Sequence, residues 1–177
     1  DILDPLPRAD RRVEFIHASV AALDAALGTL ARQHGVDGVR LLVRHGRAID
    51  ELPLLARRLG VQAVYTNHDD EPDALRRDAA VRTALAGDGI ALHTSKDHVI
   101  FERAEVLTGD GRPYGVFTPY KNTWLKKLDA FFVTPYPTER HAAALAAASQ
   151  PESPLPTLEA IGFERTNLAA LKVIPGE

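Results

Sequence analysis

A histidine and three carboxylates stand together at His68-Asp69-Asp70-Glu71, just before Pro72. Carboxylates beside an imidazole can bind a divalent ion. A helix N-terminus gathers the same residues, because its dipole favours negative charge, and no metal is expected. A ligand site is the stronger reading. The run follows a strand-like segment at 61–66, and open parallel sheets bind ligands at the carboxyl ends of their strands. Asp69 and Glu71 are two residues apart, so in an extended turn their side chains can point the same way. Such carboxylates suit a ligand with N–H or hydroxyl donors rather than a phosphate.

Other chemistry is thin. Gly109-Asp110-Gly111 lacks the strand–turn–helix setting of a phosphate loop and reads as a plain turn. There is no Walker A sequence and no Gly-x-Ser-x-Gly elbow. The seven histidines form no His-x-x-x-His pair, and the absence of cysteine excludes disulfides, thiolate catalysis and Cys-ligated metals. A net charge of -3 does not describe a basic nucleic-acid-binding domain. Lys121, Lys126 and Lys127 flank Trp124, with Tyr120 nearby. They could contact nucleic acid, but the preferred reading docks a helix through Trp124 and Leu128 and leaves the lysines solvated.

The 177 residues, 45% hydrophobic and 25% charged, suit one globular domain with or without a tail. No 18-residue run lacks charge, so no membrane-spanning helix is expected, and a cytoplasmic location is. Methionine is absent even at position 1, so a piece of a longer protein is expected.

These residues need elements to hold them. Val13, Ile16, Val20, Leu23, Leu27 and Leu30 recur at helical spacing and predict a helix through about Gln33. Residues 39–43 predict a short strand. A second helix carries Ile49, Leu52, Leu55 and Leu59 inward, with Asp50 as N-cap and Pro53 in its first turn. Residues 61–66 predict a strand, Pro72 opens a helix to about Ala86 capped by Asp70 or Glu71, and 90–93 predict a third strand. Strands alternating with helices predict an α/β fold, a Rossmann-like open parallel sheet with flanking helices. Beyond residue 95 the alternation stops, and a helix is predicted from Pro119. Pro135, Pro137, Pro151, Pro154 and Pro156, with an Ala-rich run at 142–148, give 133 onward a linker composition. The expected division is therefore a domain at 1–132 and a linker at 133–177.

The segment from Ala63 to Pro72 with Arg77-Asp78 resembles the DNA photolyase/cryptochrome family. So do Asp97-His98 and the run from Gly109 through Phe117-Thr118-Pro119-Tyr120 to Trp124. Leu42-Val43-Arg44-His45-Gly46 fits the strand and turn before that family's third helix. Leu158 to Phe163 and Pro175-Gly176-Glu177 resemble the lead into its flavin domain, and Asp1-Ile2-Leu3 through Arg12 resembles the loop after its second strand. Family members begin with a Trp-Phe-Arg-x-Asp-Leu-Arg type strand, a helix and a second strand, none of which occurs here. The resemblance thus implies most of an N-terminal α/β antenna domain, without its first βαβ and without the FAD-binding helical domain.

The family's sheet order of 3-2-1-4-5 makes 39–43, 61–66 and 90–93 its third, fourth and fifth strands. The absent strands would lie between the third and fourth, so self-association through exposed strand edges is expected. The resemblance implies a parent that repairs cyclobutane pyrimidine dimers in damaged DNA with light and reduced FAD, a carbon–carbon lyase. This part alone is expected to be inactive and to hold a light-harvesting chromophore. The implied pocket residues are Arg12, Asn67, Asp69 and Glu71. The folate-binding branch needs a Glu where this chain has Ala74, so a deazaflavin or flavin is favoured over folate. Alternatives are a cryptochrome-type photoreceptor domain and a stand-alone nucleotide-binding α/β module.

Overall fold

The computed structural model describes residues 3–97, 99–147 and 154–176. The expectations placed on Asp1, Ile2, His98, 148–153 and Glu177 lie outside the described residues. Contacts group the chain into two compact units, Asp1–Arg47 with Pro137–Glu177, and Ala48–Tyr136.

In the first unit, α1 spans Arg11–Gln33. Asp10 starts it, accepting the Arg12 backbone N–H at 2.8 Å on Oδ1. The Arg12 guanidinium holds both oxygens of the same carboxylate, with Nη2 at 2.6 Å from Oδ2. Asp10 is only 7% exposed. This hydrogen bonding from Arg12 lowers its pKa from 3.8 to about 2. A folded pKa below the unfolded one stabilises the fold above about pH 4 and loses that effect as pH falls through about 2. The stability gap between wild type and Asp10→Asn is therefore expected to narrow from about pH 4 toward pH 2. Urea unfolding at stepped pH measures it, and a constant gap would refute the assignment.

Val13 packs with Leu158 and Phe163, and Leu3, Leu6 and Ile161 border the cluster. Glu14 accepts the Thr166 N–H at 2.8 Å and its hydroxyl, and these bonds lower the Glu14 pKa. The described part of the expected linker thus carries buried apolar side chains, because Leu158 and Phe163 complete the core that Val13 begins. Three-residue and longer 3-10 turns at Thr138–Ala144, Glu159–Ile161 and Leu168–Leu171 order it locally.

Three expectations for this unit do not hold. Residues 39–43 form no strand and pair with none among the described residues; instead the Leu41 N–H donates to Asp24 Oδ1 at 2.7 Å. A strand exists only through a partner ladder, and residues 39–43 have none among the described residues. The buried face of α1 is Val13, Gly28 and Ala31, while Ile16 and Leu23 are 60% and 57% exposed. With that composition α1 is long and apolar enough to cross a membrane, its best 18-residue window having a mean hydropathy of 1.3. This departs from the expectation of no such helix. The bonds from Glu14 to Thr166 and from Asp24 to Leu41 tie α1 into its own unit.

In the second unit, α2 (Ala48–Leu59), β1 (Ala63–Asn67), α3 (Pro72–Gly87) and β2 (Ala91–Ser95) follow in order. β1 and β2 are parallel, in register from Ala63 opposite Ala91 to Asn67 opposite Ser95. This is an α/β arrangement of a parallel sheet with flanking helices. Ala56, Val81, Leu85, Ile90 and Leu92 form its core, with Ala48, Ile49, Val61 and Val64 against them.

Both helices feeding strands end alike. Gly60 at φ 63° and Gly89 at φ 72° take the left-handed conformation that glycine adopts without steric cost. The next N–H groups then reach back, Val61 to the Ala56 carbonyl at 3.2 Å and Ile90 to the Leu85 carbonyl at 2.9 Å. α2 begins at Ala48, so Asp50 lies within its first turn rather than capping it, and Pro53 is inside the helix. Its buried residues are Pro53 and Ala56, a stripe shifted by one position from the predicted Leu52 and Leu55. Ala56 packs there in one cluster with Val81 and Leu85 of α3.

After β2, Phe101 is buried and meets Trp124 and Phe132 edge-on, at 5.5 and 4.7 Å between ring centroids. Trp124 belongs to α4, Phe117–Lys127, and Phe132 to α5, Ala130–Val133. Trp124 docks its helix as the spacing predicted. Lys127 is not merely solvated: its Nζ sits 5.0 Å from the Phe101 ring centroid.

Candidate functional site

Parallel strands end on the same side of a sheet, so the segments leaving β1 and β2 emerge together. Between them lies a cavity of about 330 Å³ lined by His68, Asp69, Asp70, Glu71, Lys96, Asp97, Val99 and Glu102. Residues 68–71 form the turn into α3. Within it the Glu71 backbone N–H donates to Asp69 Oδ1 at 3.0 Å, a side-chain mimic of a backbone turn. Glu71 is the residue before α3, and Pro72 occupies the first turn, where its missing N–H costs nothing.

The opposite wall is braced by polar pairs. His68 Nε2 and Glu102 Oε2 are 2.6 Å apart. Glu102 and Glu105 form a reciprocal capping box around the 3-10 turn Arg103–Glu105, with the Glu102 N–H donating to Glu105 Oε2 at 2.7 Å. Lys96 Nζ donates to the same oxygen at 2.7 Å, and the Glu105 backbone carbonyl accepts from Lys127. The Lys96 hydrogen bond, then that from Glu102, hold the Glu105 carboxyl below its ordinary range. Arg103, in the left-handed region at φ 45°, donates twice to Asp70 Oδ1, at 3.0 and 2.9 Å.

With these cations engaged, Asp69 Oδ2 and the Glu71 and Asp97 carboxylates have no hydrogen-bond partner among the described residues. The lining is rich in acceptors and poor in free donors. It can receive N–H and hydroxyl groups, and it repels phosphate or further carboxylates. Among the described residues no cluster of metal-ligating side chains occurs.

Of the four residues implied for a pocket, the structure brings Asp69 and Glu71 into one cavity. Asn67 ends β1, is exposed, and does not line the cavity; its backbone carbonyl accepts the Thr66 hydroxyl at 3.2 Å. Arg12 belongs to the first unit, where its guanidinium is committed to Asp10. Ala74 is buried on α3. Sequence reasoning missed Lys96, Glu102, Arg103 and Glu105. Two signals were present: Lys96-Asp97 directly follows a strand, and Glu102 and Glu105 have capping-box spacing.

A family model described as DNA photolyase matches residues 2–153. A deoxyribodipyrimidine photo-lyase of Synechococcus sp. is 32% identical over 177 residues, covering 97% of this chain and 36% of that protein. One of Halobacterium salinarum is 37% identical over 152 residues, covering 85% of this chain and 31% of that protein. A cryptochrome DASH of Natronomonas pharaonis is 31% identical over 158 residues, covering 89% and 31%. Among solved structures, a bacterial class III photolyase from Agrobacterium tumefaciens matches with a TM-score of 0.56 and 27% identity, over 70% of this chain and 24% of that one. The chain spans about a third of the length of the curated relatives it matches.

Proposed function

The chain belongs to the DNA photolyase family, and from that premise we propose that it is the light-harvesting antenna domain of a DNA photolyase. The observation that carries this reading is the acceptor-rich cavity at the carboxyl ends of β1 and β2, with Asp69 and Glu71 in its lining. Its volume is at the lower end of ordinary small-molecule pockets. Its free acceptors fit a ring system that presents N–H and hydroxyl groups, as a deazaflavin or flavin does. A folate would bring carboxylates to a wall already rich in them, and the position where the folate branch needs a Glu is the buried Ala74.

In this reading the chain leads toward an FAD-binding helical domain through its last segment, which, where described, packs with α1 in the first unit. The whole protein would bind damaged DNA in the cytoplasm and split cyclobutane pyrimidine dimers with light and reduced FAD. This domain would pass excitation to the FAD and have no repair activity alone. A cryptochrome-type photoreceptor is the second reading, favoured by the likeness to a cryptochrome DASH; absence of light-dependent dimer repair by the full-length protein would select it.

The site is tested by titrating the full-length protein with deazaflavin, flavin and folate in turn. Asp69→Ala and Glu71→Ala should each weaken chromophore binding by about 5- to 150-fold, the loss of a buried charge-assisted hydrogen bond. Unchanged affinity for all three would remove the site assignment. Tight folate binding would overturn the chromophore preference.

A further inference from the structure

Arg103 stands where glycine is expected. Its φ of 45° is left-handed, and among the described residues only Lys172 also combines a side chain with a positive φ. A residue with a Cβ is strained there, and such strain persists only where the surroundings impose it. Here the backbone is fixed on both sides. Glu102 and Glu105 close their reciprocal capping box around the turn. Lys96 holds the Glu105 carboxylate, and Lys127 holds the Glu105 carbonyl. At Gly60 and Gly89 the chain meets the same backbone demand with glycine. An arginine at such a position points to a use for its side chain.

That side chain crosses to the turn before α3. Its Nε and Nη2 donate to Asp70 Oδ1 at 3.0 and 2.9 Å. Beside it, His68 Nε2 meets Glu102 Oε2 at 2.6 Å. Two bonds between the walls therefore hold residues 68 and 70, and Asp69 and Glu71 follow them in turn. The Arg103–Asp70 pair is exposed, at 58% and 54% of the two side chains, and ion pairs so exposed add little stability. The strained backbone costs more than such a pair contributes, so bracing the fold does not account for Arg103. Arg103 also lies outside the cavity lining, so it is not a ligand contact.

We propose that Arg103 is a positioning residue of the cavity. Its bonds to Asp70 fix the turn at 68–71 so that Asp69 and Glu71 are already in place for the N–H and hydroxyl groups of a ligand. The assignment rests on the reading of this cavity as a chromophore site. With the turn held, the two carboxylates lose little further freedom when a ligand binds. Without the clasp, binding itself has to order them, and affinity falls by that amount.

Arg103→Gly in the full-length protein separates positioning from bracing. Glycine adopts φ 45° without strain and has no guanidinium. The affinity for riboflavin or 5-deazariboflavin should fall roughly tenfold. Asp70→Asn removes the charge that Arg103 holds and should cost the same. The double variant should lose no more than either single one, because both act through one contact. Amide exchange reads the clasp without a ligand. In Arg103→Gly the Glu71 N–H, bonded to Asp69 Oδ1, should exchange faster. The Ile90 N–H, bonded to the Leu85 carbonyl in the core, should exchange no faster than in the wild type. A brace of the fold would speed both. Wild-type affinity in Arg103→Gly overturns the proposal. So do additive losses in the double variant, faster exchange at Ile90 together with Glu71, or unchanged exchange at Glu71. Should the wild type bind neither compound, the flavin-type chromophore reading fails, and the two amides alone decide whether Arg103 positions the turn.

Discussion

Truncating Phe163 to alanine is expected to cost about 3–5 kcal/mol. The side chain is buried in one cluster with Val13 and Leu158, bordered by Leu3, Leu6 and Ile161. Its removal strips both the transfer energy of an aromatic ring and the contacts of the cavity lining. The effect belongs to a residue whose neighbourhood reads as linker, so the experiment separates two descriptions of 154–176. If that stretch is integral to the first unit, urea unfolding of Phe163→Ala shifts strongly and amide exchange accelerates along the N-terminal turns of α1. A change under about 0.5 kcal/mol, the range of ordinary surface substitutions, would mean the segment rides on the unit without supporting it.

Leu85→Ala is the matching experiment in the second unit, with an expected loss of about 2–5 kcal/mol. Leu85 is 0% exposed and sits at the end of α3, among Ala56, Val81, Ile90 and Leu92. Its backbone carbonyl also accepts the Ile90 N–H that turns the chain into β2. That bond survives the substitution, so the loss measures packing alone. Leu85→Met, which nearly conserves volume, should cost less than about 1.5 kcal/mol. Equal losses for the two variants would show that the site is strained rather than well packed.

The sequence made the second unit legible because its signals are local. Helical spacing, a glycine after each helix and a proline before α3 fix β1–α3–β2 within a residue or two. The errors lie where a distant partner decides. Residues 39–43 have every strand propensity, yet pairing needs a neighbour that propensity does not supply. The apolar stripe of α1 was read correctly as helical, but which of its positions are covered depends on what packs there, and Ile16 and Leu23 are left exposed. Residues 154–176 lack periodicity, and only three-dimensional contact with Val13 reveals their burial.

The candidate site divides the same way. Asp69 and Glu71 could be found because they sit on one turn beside a strand end. The bracing residues 96–105 come from the other strand's exit, and no local pattern joins them to 68–71. Arg12 was implied by family likeness rather than by any spacing, and in its own unit it serves as the counter-ion of Asp10.

Glu105 has a kinetic consequence. One residue anchors the exit of β2 through Lys96, the start of its own turn through the Glu102 N–H, and α4 through Lys127. A wall fixed at three points holds its shape before anything binds. A small molecule entering the cavity would lose its own freedom without having to immobilise the protein as well. Its association would be governed by encounter and by stripping water from Asp69, Glu71 and Asp97 rather than by a slow loop closure.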